Sequence, residues 1–392
     1  MKKARTAKPG KSKRSSSSIQ YFAERTLDIV QTIRQLVEIE SPSDVKQAVD
    51  RLSTILTGRF EELGGKVTLH RAEKYGSHLQ ADFAGTQKSK PVLLLGHMDT
   101  VYPIGTISKM RCHEAEGKLW GPGVLDMKSG IALILAAIES LRSNEGFLPR
   151  PVTVLLVSDE EVGSPSSRKI TEALAKKSAA VFVMEPAFGL HGAVKTERKG
   201  VGEYTIRVTG KAAHSGLDFE KGQSAILELA KQINAISNFV DTKHGLTLNV
   251  GVVRGGTKVN VVPGSAEASI DVRITRSIDG KRIDRKLRAI RPFNKECRIE
   301  IRGGINRPPM ERTKGVAALY QQAVKIAKEL GWKLQEASVG GGSDGNFTTA
   351  LGIPTLDGMG GVGEGAHAEH EHIVISELPK RAALLANLIE SV

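Results

Sequence analysis

The strongest constraint on the fold is a series of short apolar segments of strand length that alternates with helical spacing and is interrupted once by a block of different order. Val67–His70, Leu79–Phe83, Pro91–Leu95 and Val152–Val157 are strand-sized apolar runs, and Ala179–Met184 follows after a further helix. Ser129–Leu141, between two of these runs, reads as a buried crossover helix. Upstream, Ile29, Ile33, Leu36 and Val37 recur at helical spacing from about Arg25. Ser41-Pro42-Ser43 interrupts the pattern, and a second helix covers Val45–Leu63 up to the stop Gly64-Gly65. Strands alternating with helices predict the α/β class, here a mixed sheet with helices on both faces.

The interrupting block runs strand Glu203–Val208, helix Gly222–Phe239, strands Leu246–Val253 and Ala266–Ile274, helix Ile278–Ile290 and strand Glu296–Ile301. That order, βαββαβ, predicts an inserted α+β domain of ferredoxin-like form. The first pattern resumes with helix Gly315–Leu330, a strand near Leu334–Ser338 and a last helix Ser376–Ile389. The expected division is a basic, disordered tail over 1–20, a main domain from 21–198 and 311–392, and an insert at 199–310. A length of 392 residues suits two domains better than one.

Composition excludes several classes. At 40% hydrophobic and 25% charged residues the chain is not broadly disordered. The longest apolar run, Ile131–Ile138, is far short of the roughly 20 residues of a membrane helix. Two distant cysteines, Cys112 and Cys297, make neither a disulfide framework nor a Cys-based zinc site, and they suit a reducing compartment. Of the net charge of +13, the first 18 residues supply 7, and the remainder is spread over the rest of the chain. The tail runs on into Ser15–Ser18 and is followed by no apolar stretch of the kind a secretory signal carries, so a cytoplasmic location is expected. A solvated tail is preferred to a polyanion-binding arm. Aromatic residues at 4% also speak against a base-stacking nucleic-acid surface.

The chemistry-bearing residues fall at the ends of the predicted strands. His97-Met98-Asp99 follows Pro91–Leu95, and Glu160-Glu161 follows Val152–Val157. Glu185 follows Ala179–Met184, and Asp126 sits in a glycine-rich loop before the crossover helix. Open α/β sheets bind ligands at the carboxyl ends of their strands. Crowded carboxylates repel unless a cation is present, and mixed His and Asp/Glu donors suit zinc or a similar divalent metal. A pair of ions about 3.5–4 Å apart needs a shared carboxylate, and such a pair polarises a carbonyl while activating water. A second histidine can come from His367, His370 or His372. Of Glu160 and Glu161, one can serve as ligand and the other as general base. Gly358–Gly363 fits GxGxxG, but no helix follows it, so a dinucleotide site is not expected.

These residues resemble the co-catalytic di-zinc exopeptidases, the family of glutamate carboxypeptidase, aminoacylase and acetylornithine deacetylase. The resemblance rests on His97-x-Asp99, Gly-x-Gly-x-x-Asp126-Met127-Lys128, Asp159-Glu160-Glu161-x-Gly163-Ser164, Glu185-Pro186, Gly210-Lys-Ala-Ala-His214-Ser-Gly216 and His367-x-x-x-Glu371, in the family's order over roughly 90–375. It implies that Asp126 bridges two divalent ions, zinc by first choice with cobalt or manganese as alternatives. His97 and Glu185 complete one ion, and Glu161 and His367 the other. The resemblance further implies Glu160 as general base, Asp99 as the residue orienting His97, and a cis peptide after Asp126. His214 is implied as the oxyanion-stabilising histidine, reaching across a homodimer interface. Asn260 and Arg273, with Arg307 as a weaker candidate, match positions that hold the substrate carboxylate.

The implied activity is hydrolysis of an amide bond next to a free carboxylate in a small peptide or N-acyl amino acid. A carboxypeptidase releasing a C-terminal glutamate-like residue comes first. A deacetylase, desuccinylase or dipeptidase is the alternative within the family, and a binding protein without catalysis is the alternative outside it. The insert is expected to serve as lid and dimerisation domain. Neither nucleic acid nor membrane is an expected partner.

Overall fold

The computed structural model describes residues 17–142 and 147–392. The predicted tail lies almost wholly outside them, and its last residues differ from expectation. Ser17 is buried, and the Ser18 hydroxyl accepts from the Tyr21 amide at 3.2 Å, which starts helix α1 (Ile19–Ala23). A serine can cap a helix as readily as extend a tail. Phe22 then anchors the turn in the core.

Helices α2 (Thr26–Val37) and α3 (Lys46–Glu62) lead into strands β1 (Lys66–His70), β2 (His78–Phe83) and β3 (Val92–His97). A short hairpin, β4 (His113–Ala115) and β5 (Lys118–Trp120), precedes α4 (Ser129–Arg142). Then come β6 (Val152–Val157), α5 (Arg168–Lys177), β7 (Ala180–Val183) and β8 (Val194–Arg198). The main sheet is mixed, in the order β1-β2-β6-β3-β7 and then the later strand Thr355–Leu356. β3 is parallel to both β6 and β7, whereas β2 is antiparallel to β6. The central strands are buried along their whole length. Leu94, Val154 and Phe182 face the larger core with α2, α3 and α4. Leu93, Leu95, Leu155 and Val157 face a second core with α5. Burial on both faces is why these strands read as continuous apolar runs without alternation.

The middle of the chain folds on a sheet of its own. β9 (Gly200–Thr209), β10 (Ala213–His214), α6 (Ala225–Ser237), β11 (Thr247–Gly255), β12 (Val261–Val262), β13 (Ser265–Ile274), α7 (Ser277–Arg288) and β14 (Arg298–Arg307) follow in order. The four long strands form an antiparallel sheet, β11-β13-β9-β14. Tyr204, Ile206, Val208, Leu229, Ile270 and Ile283 build its separate core. β10 and β12 make a small ribbon beside it. Residues 199–310 carry 20 basic and 11 acidic side chains, so the positive charge beyond the tail is concentrated in this segment and not spread.

The chain returns to the main body through α8 (Lys314–Glu329), β15 (Glu336–Val339), α9 (Gly345–Ala350), β16 (Thr355–Leu356), β17 (Gly363–Glu364), β18 (His372–Val374) and α10 (Leu378–Ser391). β18 pairs with β5, which sets the loop that ends at His372 beside the loop that carries Asp126. Gly130 makes a second close approach, since a Cβ there would lie 2.1 Å from the Met184 carbonyl oxygen. The start of α4 can therefore press against the end of β7, and Asp126 comes near Glu185.

Candidate active site

Three adjacent central strands, β6, β3 and β7, deliver His97, the Glu160-Glu161 pair and Glu185 from their carboxyl ends. The Nδ1 atom of buried His97 lies 2.8 Å from the carbonyl oxygen of Asp99. A carbonyl can only accept, so Nδ1 carries the hydrogen and the Nε2 of a neutral ring presents a lone pair. That lone pair faces Asp126 Oδ1 at 3.1 Å and Glu185 Oε1 at 3.5 Å. On the other side of Asp126, His367 Nε2 lies 3.4 Å from Asp126 Oδ2 and 3.3 Å from Glu161 Oε1. Asp126 thus stands between two imidazoles, one oxygen toward each. The Asp126–Met127 peptide is cis, and His367 has a left-handed φ of 64°.

Acceptors facing acceptors mark a place for cations. Glu161 Oε1 is buried and, among the described residues, has no hydrogen-bond partner beyond its 3.3 Å approach to His367 Nε2. Ligand atoms of His97, Asp126 and Glu161 lie within 4.8 Å of one another, as do those of His97, Glu160 and Glu185. This donor set fits zinc or a similar divalent ion. With protons as the sole cations, burial disfavours charge on His97, but Asp126, Asp99 and Glu185 outweigh it and hold the ring well above its usual range. His367 is pushed up to about 10 by Asp126 and Glu161, against burial. Burial would raise Asp126, yet the two histidines hold it low. Glu161 is raised by burial.

Asp99 meets His97 mainly through its backbone. Its backbone oxygen, not its carboxylate, makes the short contact to His97; the carboxylate oxygen is 3.5 Å away. The carboxylate instead accepts from the Glu160 and Glu161 amides at 3.3 and 3.2 Å and from the Ser43 hydroxyl at 2.7 Å. It ties the ends of β3 and β6 together. Glu160 is raised by burial, opposed by Arg307, whose Nη2 donates to Glu160 Oε1 at 2.9 Å. Arg307, the last residue of β14, is buried and also binds Asp344 and Ser164, so it joins the insert to the cluster.

His214, Asn260 and Arg273 are not in this cluster; among the described residues its hydrogen bonds and ion pairs include Arg307 but none of these three. His214 is exposed on β10, where its Nδ1 accepts from the Gly216 and Leu217 amides. Asn260 adjoins it, accepting from the Ser215 amide at 3.0 Å through its carbonyl oxygen. Arg273 on β13 is paired with Asp271 at 2.9 Å.

Sequence reasoning did not single out Arg198, Asp357 or Tyr102. Arg198 is buried, holds both oxygens of Asp357 at 2.7 Å and lies 3.7 Å from Glu185. Its Nη1 also donates to the Gly341 and Gly342 carbonyls. The glycine-rich loop 340–345 therefore offers carbonyls to an arginine. Arg198 is one basic residue in a strand end rich in them, and no spacing marks it.

The fold and the cluster together define a mixed α/β hydrolase with an imidazole–carboxylate centre at its strand ends. Residues 93–391 match the family described as Peptidase family M20/M25/M40. The chain belongs to that family and is a metallohydrolase. Carboxypeptidase G2 from Pseudomonas sp. (strain RS-16) is 29% identical over 384 residues, covering 96% of this chain and 92% of its own. The crystal structure of aminopeptidase PepT from Bacillus cereus matches with a TM-score of 0.77 at 22% identity, over 93% of this chain and 98% of that one. The Bacillus subtilis YXEP protein, described as a dinuclear metal binding peptidase from the M20 family, matches at 0.69 and 16% identity, over 94% and 98%.

Proposed function

We propose that this enzyme is a carboxypeptidase-type amidohydrolase that cleaves an amide bond next to a free carboxylate and releases a C-terminal glutamate-like residue. The observation that carries the proposal is the pair of imidazoles facing opposite oxygens of Asp126, with Glu161 and Glu185 beyond them and Glu160 alongside. His97 and Glu185 would hold one divalent ion, His367 and Glu161 a second, and Asp126 both, with zinc as first choice. Such ions, when bound, polarise the substrate carbonyl and acidify water.

The protein's own part is proton transfer and positioning. Glu160, shielded from bulk water, takes a proton from the attacking water and passes it to the leaving nitrogen. Arg307 favours its ionised form against burial, which keeps it able to accept. Substrate carboxylate falls to the insert: Asn260, Arg273 and Arg307 are the donors proposed. Arg273 is engaged by Asp271, which a substrate carboxylate would displace, whereas Arg307 would keep its Glu160 contact and meet the carboxylate in place of Asp344. The basic excess of residues 199–310 favours an anionic substrate by attraction at a distance.

His214 is proposed to act across a homodimer. The edge strand β11, with Val252 and Val253 exposed on its two faces, and the exposed Ile226 and Leu227 of α6 supply apolar surface for that contact. The substrate test compares kcat/KM for N-acyl and peptidyl substrates ending in Glu, Asp, Ala and Lys, each with a free or an amidated α-carboxyl. The proposal expects preference for the acidic residue and loss of turnover on amidation. Equal rates on the amidated forms would refute it.

A further inference from the structure

The sequence presents Glu371 as a mere companion of His367, yet the structure gives it more partners than any other carboxylate near the cluster. Its side chain is fully buried. Oε1 accepts from the amides of Leu125 and Asp126 at 2.8 and 2.9 Å. Oε2 accepts from the Gly123 amide at 2.9 Å and from the Tyr102 hydroxyl at 2.6 Å. The Glu371 backbone oxygen takes the Gly121 amide at 3.2 Å. Gly123 has a φ of 72°, a conformation suited to glycine that lets successive amides turn toward one anion.

These contacts join three separate segments. Tyr102 follows the His97 strand, Gly121–Asp126 carries the carboxylate between the two imidazoles, and Glu371 closes the turn that begins at His367. The Tyr102 hydroxyl oxygen also lies 3.1 Å from the Ala368 carbonyl oxygen, within that same turn, although its one hydrogen goes to the nearer Glu371 carboxylate. His97 and Glu185 are set by buried strands β3 and β7, whereas Asp126 and His367 lie on loops. The loop ligands therefore need a brace of their own.

We propose that Glu371 is the positioning residue that holds Asp126 and His367 in register, and with them the ion that His367 and Glu161 would bind. The inference rests on the proposed metal centre. Outer partners of metal ligands commonly contribute about 10–100-fold in metal affinity.

The test is calorimetric titration of metal-free full-length protein with Zn2+, for the wild type and for Glu371→Ala, Glu371→Gln and Tyr102→Phe, with thermal unfolding of each metal-free form. The wild type is expected to bind two ions. Glu371→Ala should weaken the ion at His367 by about 10–100-fold and the ion at His97, which depends on Glu371 only through Asp126, by clearly less. Glu371→Gln, which keeps one oxygen for the Leu125 and Asp126 amides, should recover part of the loss. Tyr102→Phe removes a single bond from a partly exposed side chain and should weaken the same ion by less, giving a folded variant should Glu371→Ala not fold. Wild-type affinity for both ions in Tyr102→Phe and the Glu371 variants, or an equal loss at both in step with lower thermal stability, would overturn the inference. A wild type that binds fewer than two ions would instead overturn the metal-centre reading beneath it.

Discussion

Arg198 offers a sharp test of the electrostatics behind the cluster. It is 4% exposed and Asp357 is 0% exposed, and they share two 2.7 Å charge-assisted bonds. Burial opposes the charge on Arg198, but Asp357 and Glu185 more than restore it. Arg198→Met keeps most of the stem's volume and removes the guanidinium, leaving two buried carboxylates without their nearest cation. Breaking a buried pair from one side costs about 3–5 kcal/mol. At 2–4 °C per kcal/mol for a domain of this size, the melting temperature should fall by about 6–20 °C. Asp357→Leu alone should also destabilise, because Arg198 then lacks its partner. The double variant should be less destabilised than the two single losses combined, with a coupling of about 1–3 kcal/mol. Thermal unfolding of the four proteins at fixed metal concentration reads the cycle. A fall below about 2 °C for Arg198→Met, or strictly additive losses, would refute the reasoning.

Three further outcomes follow from the same structure. Chelation should abolish hydrolysis and lower the melting temperature, by an amount equivalent to about 2.7 kcal/mol for each ion present at a hundred times its Kd, and restored Zn2+, Co2+ or Mn2+ should reverse both. Lys195 is pushed down to about 8 by burial. The unfolded chain therefore binds this proton over a range where the folded chain has lost it, so stability should rise from about pH 8 to about pH 10.5, by about 3 kcal/mol in total. Lys195→Met should lack that rise in urea melts across the range, and an unchanged slope would count against the burial argument. Val253→Lys on the edge strand β11 should convert a dimer to monomer in sedimentation and reduce turnover, whereas a wild-type monomer with full activity would remove the role proposed for His214 across the interface.

Much of the fold was legible because its signals are local. Buried parallel strands announce themselves as apolar runs, and observed β6 coincides with the segment Val152–Val157 read from the sequence. The βαββαβ order was legible for the same reason, with observed ends displaced by a few residues. Helix α1 was missed because a serine-rich stretch reads as tail until Phe22 is seen in the core. The hairpin β4–β5 and its partner β18 were missed because strands of three residues carry no periodicity.

At the site, the histidines and acids were legible by type and by position after strands. The direction of each contact was not. That Asp99 braces the Glu160-Glu161 turn, that Arg307 leaves the insert to hold Glu160, and that Glu371 gathers three loop amides depend on tertiary approach, which residue spacing does not encode. His214, Asn260 and Arg273 stand apart from the cluster within one chain, and their proposed roles rest on a dimer and a movement of residues 199–310 that are themselves part of the proposal.

The most direct test of the central claim is glutamate release from an N-acyl glutamate by wild type and Glu160→Gln at matched, measured metal content. The account predicts release by the wild type and a loss of about 10²–10⁴-fold in the variant, with two ions bound to each. Undiminished release by Glu160→Gln, or none from a wild type holding both ions, would contradict it.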